Sequence, residues 1–134
     1  MIYKILIVDD EPNIASMLAD VLTDAGYDID TADNGRDALD AVHRDPPDLM
    51  LLDVQMPVLD GFAVASRLKA DPATATIPII MLSAMEGRGA RVIGLESGAE
   101  EYLSKPFDQA ELLARVRNLL SLRESAMDAG RQEH

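Results

Sequence analysis

Two periodicities alternate along this chain, and that alternation narrows the fold more than any other feature. Short apolar runs occur at KILIV (4–8), YDIDTA (27–32), LMLL (49–52), IPIIML (77–82) and EYLS (101–104). Runs of this length, bounded by turn residues and rich in branched aliphatics, read as strands, several of them buried on both faces. Between them the apolar spacing becomes helical. Ile14, Leu18, Val21, Leu22 and Ala25 share one helical face, and Gly26 supplies a stop. Further helical patterns cover about residues 35–43, 61–69 and 90–97. The last helix begins after Asp108, a candidate N-cap, and places Leu112, Leu113, Val116, Leu119 and Leu120 on one face. Five strands alternating with five helices predict an α/β fold, a doubly wound five-stranded parallel sheet of (βα)5 type. Right-handed crossovers leave few topologies, the commonest small one having strand order 2-1-3-4-5.

A length of 134 residues suits one domain with one sizeable core. Residues 1–122 are expected to form it, and 123–134 to be a helical extension or linker. No apolar stretch is long enough to cross a membrane, and the opening MIYKILIVDDE reaches acidic residues too soon for a secretory leader. Cysteine is absent, which excludes disulfides and thiolate chemistry and accords with an expected cytoplasmic setting. The formal charge is −12, from 12 basic and 24 acidic residues. Such a surface repels phosphate backbones and anionic lipid, so no direct nucleic-acid or membrane binding is expected; a cation is easier to accommodate.

Open parallel sheets bind ligands outside the carboxyl ends of their strands, where strand order reverses. Asp9 and Asp10 follow the first strand and Asp53 follows the third, neighbours in the expected order. Ser83 ends the fourth strand run and Lys105 the fifth, at the same edge. Two carboxylates about 4 Å apart repel by roughly 4 kcal/mol at an effective dielectric of about 20. Three must therefore take up a proton, a cation, or both. An oxygen-only cluster without histidine or cysteine suits Mg²⁺. Any one of these residues could be a simple turn residue, but five at one edge are poorly explained that way. A flavin phosphate is excluded, because the loop after the first strand reads Asp-Asp-Glu-Pro and would repel it.

The motifs ILIVDDE (5–11), LLDVQMPVLDG (51–61), IIMLSA (79–84), SGAEEYLSKPF (97–107) and ELLARVRNLL (111–120) resemble, in order and spacing, the receiver domain of two-component response regulators. The resemblance spans residues 3–122 and implies a flavodoxin-like, CheY-like fold. It implies that Asp53 is the phosphoacceptor, taking a phosphoryl group from a histidine kinase or histidine phosphotransfer protein. It implies that Asp10, Asp53 and the Gln55 backbone carbonyl bind Mg²⁺, with Asp9 acting mainly through water. Lys105 and the Ser83 hydroxyl would contact phosphoryl oxygens, and the small Ala84 would leave room for them. It also implies a cis bond before Pro106, which the low general frequency of cis X–Pro would not suggest.

By the same resemblance Tyr102 is a switch aromatic that moves inward with Ser83; its plainer reading is a half-buried strand aromatic. Arg91, Glu100, Glu101, Glu111 and Arg115 mark a candidate homodimer face on helix four, strand five and helix five. A kinase would dock around Asn13, Ile14 and Pro106. His43 reads as an ordinary surface residue. Two departures are Ser83 in place of the commoner threonine, and Gln55 and Met85 at positions that tune phosphoaspartate lifetime. The reading is a regulatory phosphoacceptor rather than a turnover enzyme. A phosphohydrolase with an Asp nucleophile would need Asp-x-Asp after its first strand, where this chain has adjacent Asp9-Asp10. A phosphorylation-independent scaffold is the other alternative, although the acidic residues and lysine are all retained.

Overall fold

A computed structural model of the chain describes residues 2–84 and 88–132. Five strands, β1 (Lys4–Val8), β2 (Asp28–Ala32), β3 (Leu49–Asp53), β4 (Ile79–Ser83) and β5 (Glu101–Ser104), alternate with α1 (Pro12–Asp24), α2 (Gly35–Arg44), α3 (Gly61–Ala70), α4 (Arg88–Glu96) and α5 (Gln109–Gln132). The strands form one parallel sheet in the order β2-β1-β3-β4-β5, as expected from the sequence.

The unbroken apolar character of β1, β3 and β4 follows from burial on both faces. Leu6, Val8, Met50, Leu52, Ile79 and Met81 join one core with Ala38, Val42, Val64 and Leu68 of α2 and α3. Their alternates Ile5, Ile7, Leu49, Leu51, Ile80 and Leu82 join the opposite core with Leu18 and Leu22 of α1 and Leu112, Val116 and Leu120 of α5. Each fully buried aliphatic side chain contributes about 1.5–3 kcal/mol of transfer free energy, so the central strands anchor the domain. β2 lies at the edge, where exposed Asp28 and Asp30 discourage pairing with another chain.

Caps set several helix starts. Asn34 accepts from the Asp37 N–H at 2.8 Å, and Asp60 from the Ala63 N–H at 2.9 Å. Asp108, the expected N-cap, accepts from the Ala110 N–H at 2.8 Å. α1 begins two residues before its first apolar position, because Pro12 is pre-set for a first helical turn. Ser83 ends β4, as expected, whereas Asp53 is the last residue of β3 rather than the first beyond it. The ladder continues through them, with Asp53 opposite Leu82 and Ser83 opposite Ser104.

Candidate functional site

Register alone brings the acidic residues together. Val8 pairs with Leu52, so the residues that follow, Asp9 and Asp53, emerge side by side at the carboxyl edge of β1 and β3. Carboxylate oxygens of Asp9, Asp10 and Asp53 all lie within 4.8 Å of one another. Asp9 and Asp53 are buried, each only 3% exposed, whereas Asp10 faces solvent. The Lys105 ammonium closes the far side, 3.1 Å from Asp9 Oδ2 and 3.5 Å from Asp53 Oδ1. Its backbone is held too, since the Lys105 N–H donates to the Ser83 carbonyl at 2.6 Å, and the Lys105–Pro106 bond is cis. Two amides complete the cradle. The Glu11 N–H donates to Asp9 Oδ1 at 2.9 Å, and the Gln55 N–H to Asp53 Oδ1 at 3.4 Å.

Electrostatics single out Asp53. Burial and the neighbouring Asp9 charge push its carboxyl up to about 6, against the pull of Lys105 and the Gln55 amide. For Lys105, burial works against the charged form, but the Asp9 hydrogen bond and the charges of Asp53, Asp9 and Glu11 outweigh it and raise its pKa. One ammonium thus faces two buried carboxylates and leaves the site under-neutralised. Oxygen-only donors with surplus negative charge and one solvent-facing member fit a small hard cation. An open groove runs from Asp9 and Asp10 between α1 and α2, past Asp30, Asp33, Asp37 and Asp40, and extends the negative field outward.

Ser83 is fully buried at the end of β4, next to Leu82, which pairs with Asp53; Ala84 after it is exposed. Met85 lies outside the described residues. Gln55 is exposed, immediately beyond Val54. Tyr102, the second residue of β5, is 3% exposed and belongs to the core under α4. Asn13 and Pro106 are exposed, and Ile14 packs partly on the core.

Four residues of the candidate dimer face, Glu100, Glu101, Glu111 and Arg115, have partners within the chain. Arg115 lies 3.1 Å from Glu101 and 3.7 Å from Glu111. Glu100 accepts from Lys69 Nζ and from the Ile79 N–H, both at 2.6 Å, and so ties the start of β4 to α3. Arg91 is exposed on α4. His43 is exposed at the end of α2, as expected, but it is also linked. Its Nδ1–H donates to the Leu39 carbonyl at 2.7 Å, and its Nε2 is 3.4 Å from Asp71.

Sequence reading passed over Gly61. A Cβ there would overlap the Asp53 carbonyl oxygen and lie 2.9 Å from Val54 Cα, while the Gly61 N–H donates to the Val54 carbonyl at 2.9 Å. The first turn of α3 is thereby pressed against the backbone that carries Asp53. An Asp-Gly pair such as Asp60-Gly61 signals a turn, but its close approach to residue 53 depends on tertiary packing.

Sheet order, edge position and a lysine-closed acidic trio together define a doubly wound domain with a cation-receptive pocket at its switch point. The chain belongs to the response regulator receiver domain family, whose model matches residues 5–117, and it is a receiver domain of two-component signalling. It is 48% identical over 116 residues to the response regulator PleD of Caulobacter vibrioides, covering 87% of this chain and 26% of that protein. It is 44% identical over 117 residues to the DNA-binding dual master transcriptional regulator RpaA of Synechocystis, covering 87% of this chain and 48% of that protein. The chain therefore spans about half or less of these curated relatives. Among solved structures, the chemotaxis response regulator CheY4 of Vibrio cholerae superimposes with a TM-score of 0.83 at 33% identity, over 89% of this chain and 99% of that one. Among the described residues, no helix is long and apolar enough to cross a membrane.

Proposed function

We propose that Asp53 accepts a phosphoryl group from the phosphohistidine of a histidine kinase or phosphotransfer protein, in a Mg²⁺-dependent reaction within the cytoplasm. One observation carries this reading: three carboxylates within 4.8 Å of one another, closed by a lysine that touches two of them. An Asp53 oxygen attacks phosphorus, the phosphorus–nitrogen bond breaks, and its electron pair returns to the imidazole of the donor. Only the ionised carboxylate is nucleophilic, and the rise to about 6 caused by burial and Asp9 is opposed by adjacent positive charge. Lys105 supplies part of it and, by resemblance to the family, turns from Asp53 toward a phosphoryl oxygen. Ser83 offers its hydroxyl to another oxygen. Asp10, Asp53 and the Gln55 carbonyl would hold Mg²⁺, with Asp9 supporting it through water. Bound there, the ion would neutralise charge on the transferring phosphoryl group.

The phosphorylated carboxylate carries a dianionic group in a buried pocket, a change large enough to bias a two-state surface. Ser83 and Tyr102 are the proposed relay to α4, β5 and α5. Glu101, Glu111 and Arg115 on that surface would exchange internal pairs for intermolecular ones in a homodimer or with an output partner, and exposed Arg91 would join them. Glu100, held by Lys69 and the Ile79 amide, would contribute less. The kinase would approach over Asn13, Ile14 and Pro106. The domain proper is proposed to end at 122, with 123–134 an extension or linker toward the output.

The test is phosphoryl uptake from acetyl phosphate, followed by phosphate-affinity gel mobility. Uptake with Mg²⁺, its loss on chelation, and a drop of at least tenfold in Lys105→Ala are expected. Equal uptake in all three conditions would overturn the assignment of the site.

A further inference from the structure

We infer that Gly94 is a positioning residue that seats the Tyr102 ring, so that the absence of a side chain at 94 sets how far the proposed switch aromatic favours its inward position; the functional half of this inference rests on the reading above. Glycine is a poor choice inside a helix, yet Gly94 lies within α4 and is buried. Its surroundings supply a reason. A Cβ at 94 would stand 2.7 Å from Tyr102 Cδ2, 3.3 Å from Cε2 and 3.2 Å from Met81 Sδ. The ring therefore lies flush against helix backbone, in space that any other residue would fill.

The neighbours decide what would yield. Met81 is fully buried in β4, and β5 is held to β4 with Met81 opposite Tyr102, so neither can withdraw easily. Ala90, one turn earlier in α4, packs into the same core and holds the helix down. The ring is the movable part. Rotation about its side-chain torsions takes it outward, toward solvent. A methyl at 94 should thus convert an inward tyrosine into an outward one, while the same substitution improves helix propensity.

The test is a double-mutant cycle on the full chain, read by urea unfolding, with 3-fluorotyrosine NMR of Tyr102 assigned through Tyr102→Phe. Gly94→Ala should weaken folding with Tyr102 present and be neutral or favourable in a Tyr102→Ala background. The coupling should be about fivefold or more in the unfolding equilibrium constant. The Tyr102 resonance should move toward that of a solvent-exposed ring. If Gly94→Ala folds only when Tyr102 is also alanine, the seat is upheld in its strongest form. If the substitution costs the same in both backgrounds, or abolishes folding in both, the seat is overturned. Phosphorylation of wild type separates the two claims. A coupled pair whose Tyr102 resonance ignores acetyl phosphate and Mg²⁺, under conditions of confirmed uptake, keeps the seat and refutes the switch.

Discussion

Asp53 combines near-complete burial, a carboxylate neighbour and one shared lysine, and these set its sign of linkage. Its folded pKa, about 6, lies above the ordinary value of 3.8. Between those values the native state binds more protons than the unfolded one, so without metal this group lowers stability as pH rises through about 6. The full displacement corresponds to at most about 3 kcal/mol. Solvent at the open side of the site reduces that to about 1–2 kcal/mol. Asp53→Asn should therefore stabilise the metal-free protein by about that amount at pH 7.5, and the gain should vanish near pH 4. Urea melts at the two pH values check it; a gain of equal size at both would contradict the assigned cause. Val58 is strained in its backbone. Its φ is 70° although it is β-branched, its side chain is fully exposed, and the Leu59 N–H donates to the Pro57 carbonyl at 2.8 Å in a three-residue turn. Such a conformation costs about 1–3 kcal/mol, which glycine relieves while losing up to about 1 kcal/mol in chain entropy. Val58→Gly should raise stability by about 1 kcal/mol; an unchanged or lower urea midpoint would contradict it.

At the scale of elements, α5 shows what patterning reveals and what it misses. Leu112, Val116 and Leu120 are its buried stripe, and their spacing is plain in the sequence. Beyond them Arg123 donates to the carbonyls of Asp48 at 2.6 Å and Pro47 at 3.3 Å, and Glu124 accepts from the Tyr3 hydroxyl. These contacts lie past the last residue of the family match, 117, and past the expected domain end at 122. Arg123→Ala should cost about 1–2 kcal/mol, since a cationic donor to two carbonyls is lost; no change in the urea midpoint would make the anchor dispensable. The acceptors are some 75 residues away in sequence, so nothing local announces them. Glu100 was unreadable for the same reason. As a charge beside β5 it looks like a surface group, yet it satisfies the amide that opens β4. Strands β1, β3 and β4 were legible because burial on both faces forces continuous apolar runs. That Asp53 finishes its strand instead of following it depends on its partner in the ladder, which the pattern of one strand does not encode. The convergence of Asp9, Asp10, Asp53 and Lys105 was legible because topology and strand ends alone imply it. The roles of Gly61 and Gly94 were not, because a glycine's reason lies in what touches it.

For the molecule as a whole, a formal charge of −12 and an acidic groove leading to the site favour cation entry over any polyanionic partner. A cation that binds only the native state stabilises it, by about 2.7 kcal/mol at a hundredfold excess over its dissociation constant. Because the ligating carboxylates must be ionised, Mg²⁺ should raise the melting temperature more at pH 7.5 than at pH 5. Asp10→Asn should remove most of that effect; equal shifts in wild type and mutant would place the ion elsewhere. The central claim, that Asp53 is the phosphoacceptor, is tested most directly by intact mass after incubation with acetyl phosphate and Mg²⁺. Wild type should gain one phosphoryl group that hydroxylamine removes, and Asp53→Asn should gain none. A folded, Mg²⁺-binding wild type that gains nothing, or a mutant that gains as much as wild type, would contradict it.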